Sequence, residues 1–398
     1  MTQNTKGTLS GITVVDLSRI LAGPYCTLLM AEMGARVIKV EPPKGGDDAR
    51  AYGPFVNGKS TYFASVNRGK ESIALDLKAE GDRKIFEKLL EKADVVVENF
   101  RPGTMEKLGY GWDTLHARYP QLIYASASGF GHTGPNSKDP AYDMVMQGMG
   151  GIMSITGNEG QPPSRVGMSI GDIGAGLYTA VAVNAAIVHR LKTGESTKVD
   201  IAMFDCQLAL LENAIMRYTV EKEIPGPLGA RHPTITPFEA FATSDGSIII
   251  AAGNDSLFVK MCEALGRHDM AANPEYKSNA LRQKSQKKLK QEIESVLKAN
   301  TTDHWIAVVS KGGVPCGPVN TLAEAMDNPQ VKHRGIRTVV DHPVHGPIEQ
   351  VRNPLMFSRT PVVHRPAPGF GTDTDEVLRT ELGLTLQAVA ALRELEVL

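Results

Sequence analysis

The sequence predicts an α/β protein: a Rossmann-like large domain with a smaller α/β domain. Three observations carry this. Short runs of β-branched residues alternate with helical segments through the first 130 residues. A proline-punctuated loop then separates a second group of elements. After it the tail returns to short strands and turns. Strands separated by helices imply right-handed βαβ units and a mostly parallel sheet.

The elements follow in order. Ile12 to Leu17 is a β-branched run and predicts a strand. Gly23-Pro24 opens a helix through Tyr25 to Met33, with the proline in its first turn and Gly34 at its end. Strands are expected at Val37 to Glu41, Ile73 to Leu77, Asp94 to Glu98 and Leu122 to Ser126, with an amphipathic helix over Ala79 to Lys92. Ile170 to Leu191 reads as a long helix, Lys198 to Ile201 as a strand and Met203 to Glu221 as one further long helix. Pro225, Pro227, Pro233 and Pro237 punctuate a linker. Phe238 to Ala252 predicts a hairpin around Asp245-Gly246, followed by helices at Ser256 to Leu265, Ser285 to Lys298 and Thr302 to Lys311. This gives a large domain over 1–224, a small one over 225–330 and a C-terminal return over 331–398 that ends in a helix.

Composition limits the function. A hydrophobic fraction of 42% supports a sizeable core, and a net charge of -1 provides no basic field for nucleic acid. Met1 to Gly7 is polar, so no export leader is expected. The apolar stretch Ala175 to Val188 is broken by Thr179 and Asn184 and reads as too short for a membrane span. Cys26, Cys206, Cys262 and Cys316 lie far apart, as reduced core thiols do. These readings place the protein in the cytoplasm. The histidines form no metal-binding pattern, so no metal is expected.

Three constellations could carry chemistry. The first strand, its turn and Glu41 resemble a dinucleotide site, but the turn Ser18 to Pro24 lacks the G-x-G-x-x-G set that admits a pyrophosphate. Glu98-Asn99-Phe100-Arg101, continuing to Lys107, follows a strand. It offers an amide, a ring and two cations, a set suited to an adenine and phosphates, although spacing alone favours an ordinary solvated loop. The third is Ala141-Tyr142-Asp143, leading into Gly148, Gly150 and Gly151. Asp143 is either a plain N-cap or a carboxylate kept ionised by a helix N-terminus and able to attack a carbonyl. Ser128 to Gly131 lacks a nucleophile elbow, and the lysines at 284, 287, 288 and 290 read as a solvated helix face.

Several stretches together resemble the class III CoA-transferases, the family of formyl-CoA transferase and the carnitine CoA-transferases. They are LAGPYCTLLMAEMGARVIKVEPP, SIALDLK, ENFRPGTMEKLG, SGFGHTGP, AYDMVMQGMGG and KVDIAMFD, and the resemblance spans Leu9 to about Leu384. NGKSTYFASVNRGKES and Gly229 to Pro233 bring it nearest the acetyl-CoA:oxalate type. The resemblance implies two α/β domains per subunit, a homodimer of interlinked rings and no tightly bound cofactor, with acyl-CoA and small carboxylates as substrates. It places the nucleophile at the aspartate of the Tyr-Asp pair, Asp143. It places CoA contacts at Arg19, Ile20, Leu21, Leu75, Asn99, Phe100, Arg101 and Lys107. A family arginine after the second strand falls near Pro42 here. The family's long glycine-rich gating loop is replaced by Leu228 to Pro233. Tyr52 and Phe130 are expected as apolar walls for oxalate, with Gly229, Arg231 and His232 nearby. The alternatives are transfer from succinyl-CoA to a larger dicarboxylate, and an α-methylacyl-CoA racemase. The racemase's histidine would precede SGFGHTGP, and Tyr119 to Tyr124 contains none.

Overall fold

The computed structural model describes residues 7–362, 364–385 and 387. Met1 to Lys6 and the last eleven residues of the tail lie outside the described residues. By contacts the chain forms two units. The first comprises 1–153, 165–224 and 334–398, the second 154–164 and 225–333.

The first unit is built on six parallel strands: β1 (Thr13–Asp16), β2 (Arg36–Glu41), β3 (Glu71–Ala74), β4 (Val95–Glu98), β5 (Ile123–Ser128) and β6 (Lys198–Ala202). Their order across the sheet is β3-β2-β1-β4-β5-β6. This is the doubly wound order, with its switch point between β1 and β4. Alternate residues face opposite sides, so each strand feeds two cores. Val15, Ile38, Ile73 and Val96 face Phe86 and Leu89, while Val14, Val37, Val95 and Ile123 face Met30 and Val183. Burial on both faces explains why the strands read as unbroken apolar runs.

The helices that matter for the site are α1 (Ala22–Glu32), α2 (Thr61–Asn67), α3 (Glu80–Leu90), α4 (Asp143–Met149), α5 (Ile170–Thr193), α6 (Met203–Ala209) and α7 (Glu212–Glu221). The long helix expected from Met203 to Glu221 is thus two. At Leu210-Leu211 the hydrogen bonds shorten to Leu208, and Leu211 turns into the core. α5 is longer than its apolar stretch suggested. By length and composition its 24 residues could cross a membrane, yet half of the apolar window is buried. It packs on α1, α6 and β5.

The second unit has an antiparallel sheet of β7 (Phe238–Ala242), β8 (Ser247–Ala251) and β9 (Cys316–Pro318). Its core joins Phe241 and Ile250 of the sheet to Phe258, Leu289, Ile293 and Trp305 of the helices. Back in the first unit, β10 (Arg337–His342) and β11 (Gly346–Val351) form a hairpin, and a helix spans Thr374–Leu382.

Candidate active site

The turn after β1 and the turn after β4 meet at the switch point, outside the carboxyl ends of the strands. Gly23 makes this possible, since a Cβ there would lie 2.3 Å from Ser18 Cβ. Arg19 lies over Phe100, its guanidinium carbon 5.4 Å from the ring centroid. Two cavities flank this pair. One, about 200 Å³, is polar and lined by Arg19, Ile20, Leu21, Asn99, Arg101 and Asp172, among others. The other, about 310 Å³, is mostly apolar and lined by Leu17, Arg19, Leu75, Leu77 and Phe100. Seven of the eight expected CoA-contact positions therefore line one cavity or both. Lys107 does not; it is exposed on the short helix Thr104–Leu108. Pro42 lines the apolar cavity in place of the family arginine, and the cations lining that cavity are Arg19 and Lys78 instead.

Asn99 also braces the turn beside the cavity it lines. Its Oδ1 accepts from Arg19 N–H and its Nδ2 donates to the Arg19 carbonyl, each at 2.8 Å. The amide shapes the turn. Glu98 does the same for its neighbour, accepting from Phe100 N–H at 2.7 Å.

Asp143 is the first residue of α4, not its N-cap; Tyr142 caps, and without a side-chain bond. Both Asp143 carboxylate oxygens are engaged. Oδ1 accepts from Gly171 N–H and Oδ2 from Gln147 Nε2, both at 2.8 Å. The helix dipole that meets Asp143 is thus that of α5, whose first turn contains Gly171. Gly171 has to be small: a Cβ would lie 3.0 Å from Asp143 Oδ1. Gly150 serves packing, since a Cβ would meet Gln207 Cβ at 2.6 Å.

A second carboxyl, overlooked in the sequence, is Asp172, one residue beyond Gly171. It lines the polar cavity. Among the described residues its carboxyl has no hydrogen-bond or ion-pair partner. Burial, and then the Asp143 carboxylate, push its pKa up to about 7. The charges of both acids reach Tyr62 of α2. Its hydroxyl is pushed up to about 12 by burial and then chiefly by Asp172. The only sequence signal for Asp172 was an acid in the first turn of a small-residue helix, a common and uninformative pattern.

Of the expected substrate walls, Tyr52 is 41% exposed and packs tilted against Tyr62, ring centroids 6.0 Å apart. Phe130 packs against Phe204 at 5.9 Å. Gly229, Arg231 and His232 belong to the second unit. Their backbone N–H groups donate to Gly157, Leu228 and Phe238 carbonyls, so they are not free for a dianion. The His232 ring accepts from Thr234 and Ile235 N–H and stacks on Phe238, which makes it a structural residue. Among the described residues no cluster could hold a metal ion.

The family model described as CoA-transferase family III matches residues 9–374. The chain belongs to this family. It is 43% identical over 341 residues to an acetyl-CoA:oxalate CoA-transferase of Acetobacter aceti, covering 84% of this chain and 88% of that one. It is 40% identical to a succinate–glutarate CoA-transferase of Agrobacterium fabrum, covering 94% and 96%. Among solved structures, a CAIB/BAIF family protein from Brucella suis matches with a TM-score of 0.83 and 38% identity, covering 94% of this chain and all of the other. The protein is therefore a family III CoA-transferase with the α/β architecture of that family.

Proposed function

We propose that this transferase moves coenzyme A from acetyl-CoA to oxalate, and that Asp172 rather than Asp143 is its nucleophile. The observation that carries the second point is the contrast between the two acids. Asp143 is held by two donors, whereas Asp172 stands unpaired in the polar cavity with a raised pKa. A carboxylate poorly stabilised by its surroundings is the more basic and the more nucleophilic.

In this reading the adenine end of acyl-CoA occupies the apolar cavity, and the thioester lies in the polar one. Asp172 carboxylate attacks the acyl carbonyl and expels CoA thiolate, giving an aspartyl–acyl mixed anhydride. The thiolate then attacks the aspartyl carbonyl, forming an aspartyl-CoA thioester and releasing the donor acid. Oxalate attacks that thioester, and the same two steps run in reverse. The Asp143 carboxylate, fixed by Gln147 and Gly171, acts on Asp172 through space and raises its basicity. The unpaired thiols suit the cytoplasm, where we place the enzyme.

The oxalate assignment rests on the Acetobacter relative. A second reading has support too: relatives named as succinyl-CoA transferases are 40% and 36% identical. Arg19 and Arg101 line the cleft, so cations for a longer diacid are at hand. One experiment tests both points. The protein is incubated with acetyl-CoA or succinyl-CoA, alone and with oxalate, succinate or glutarate, and thioesters are followed by mass spectrometry. With donor alone, the peptide bearing Asp172 should gain the mass of CoA. Asp172→Ala should abolish transfer, and Asp143→Ala should slow it by about 10²-fold through misplacement. CoA on the Asp143 peptide would return the role to Asp143. A kcat/KM for succinate or glutarate equal to that for oxalate would leave only the family-level activity.

A further inference from the structure

Ile20 has a φ of +69°. A β-branched side chain in this left-handed region crowds its own backbone, and an unrestrained turn avoids it by roughly tenfold or more. Here the turn is tied at successive polar atoms. Ser18 N–H donates to Asp16 Oδ1 at 2.9 Å, and the Ser18 carbonyl accepts from Lys39 Nζ at 2.6 Å. Asn99 closes both polar groups of Arg19. Ile20 N–H itself donates to Asp47 Oδ1 at 2.9 Å. Asp47 in turn pairs with Lys39 at 2.9 Å, and both side chains are completely buried.

We propose that the buried Asp47–Lys39 pair is a positioning pair for acyl-CoA, holding Ile20 in its left-handed conformation and so fixing the turn that faces Asp172. The proposal rests on the acyl-CoA reading above. The turn is placed for such a task, because Arg19 lines both cavities and Ile20 and Leu21 line the polar one. The pair is also ionised. Burial opposes the charge on Asp47, but Lys39 and the N–H groups of Ala49 and Ile20 outweigh it and hold the carboxyl below the usual range. Burial likewise opposes the charge on Lys39, and Asp16, Asp47 and Glu41 together hold it above its ordinary value. The same Asp47 Oδ1 also accepts from Ala49 N–H at 2.9 Å, so one buried oxygen ties the turn to the short helix Asp48–Ala51.

The test is a double-mutant cycle on the full chain. Asp47→Ala removes the acceptor for Ile20 N–H. Ile20→Gly removes the penalty, because glycine accepts positive φ. Asp47→Ala should raise KM for acyl-CoA about tenfold while kcat changes less than about threefold. In the Ile20→Gly background the same substitution should raise KM no more than about threefold. Asp47→Asn retains an acceptor for Ile20 N–H but loses the charge that pairs with Lys39, so its KM should lie between wild type and Asp47→Ala. Should Asp47→Ala not fold, Asp47→Leu with Lys39→Met removes both charges together and should show the same KM rise. Equal KM rises in both backgrounds, or a fall in kcat with KM unchanged, would overturn the positioning role. Calorimetric titration of wild type with coenzyme A separates the two levels. Failure to bind removes the acyl-CoA reading itself, whereas normal binding without coupling removes only this pair's role.

Discussion

At the scale of single residues, Asp143 and Asp172 look alike in the sequence, and their difference is tertiary. Gln147 lies one turn beyond Asp143, but Gly171 is 28 residues away, and nothing local announces that they share a carboxylate. The contact loops were more legible. Ser18 to Leu21 and Asn99 to Arg101 follow β-branched runs, and the ends of such strands are where open α/β sheets bind ligands. The chemistry of Asn99 was not, because its partner is the backbone of a turn 80 residues distant. The raised pKa of Asp172 has a consequence for stability. Unfolded, the group ionises near its ordinary value of 3.8; folded, at about 7. Between those values the unfolded chain releases a proton that the folded chain keeps, so stability falls as pH rises and is level again above about pH 7. Asp172→Asn cannot ionise and escapes this loss. Its stability relative to wild type should therefore improve by about 1–2 kcal/mol between about pH 4 and about pH 8, after allowing for partial exposure. Urea midpoints at the two pH values measure this, and a pH-independent difference would show that Asp172 titrates normally. For wild type, aspartyl-thioester formation should rise with pH through about 7, as the nucleophile loses its proton.

At the scale of elements, the alternation of strands and helices was readable because each parallel strand is buried on both faces and so is written in unbroken apolar residues. Helix limits were less so. The break at Leu210-Leu211 has no glycine or proline; it exists because Leu211 is needed in the core. The short helix α2 escaped notice for a similar reason. Thr61–Asn67 is too brief to show a period, and its start depends on Ser60 Oγ accepting from Phe63 N–H. Residues 154–164 join the second unit through bonds such as Gly229 N–H to the Gly157 carbonyl, which no local pattern foretells. The crossing of α1 and α5 depends on one small residue. A Cβ at Gly176 would lie 2.7 Å from the Ala22 carbonyl and 3.0 Å from Tyr25 Cβ. Backbone cannot yield as a flexible side chain can, so Gly176→Ala has to part the two helices. The expected cost is about 1–3 kcal/mol, read from the denaturation midpoint. Because α1 begins at the polar cavity and α5 carries Asp172, transfer activity should fall as well. An unchanged midpoint would mean that the helices are not pressed together there.

At the scale of the whole molecule, the chain leaves the first unit after Ile224 and re-enters it at Arg334, with the second unit between. A chain that returns in this way can enclose a partner, and we propose the interlinked homodimer that the sequence resemblance implied. The surface of the first unit supplies a second reason. Leu177, Val181, Val188 and Leu191 of α5 are 46%, 68%, 49% and 73% exposed, at spacings that put them along one stripe. Met216 and Val220 of α7 are exposed as well, at 56% and 67%. Apolar side chains gathered in this way mark an interaction surface. An ordinary dimer held by such a surface dissociates on dilution by mass action, and its subunits exchange. Interlinked subunits cannot part until one of them opens, so their exchange is limited by unfolding. Tagged and untagged native protein, mixed and sampled by affinity capture, should therefore yield no mixed dimer over hours. Unfolding the two together in denaturant and then refolding should yield mixed dimers in about a one-to-two-to-one distribution. Val181→Arg in the middle of the stripe should reduce the yield of folded protein rather than release an active monomer, since a subunit built around its partner has no stable state alone. Rapid exchange between native dimers, or an active monomer of Val181→Arg, would show that the subunits only touch.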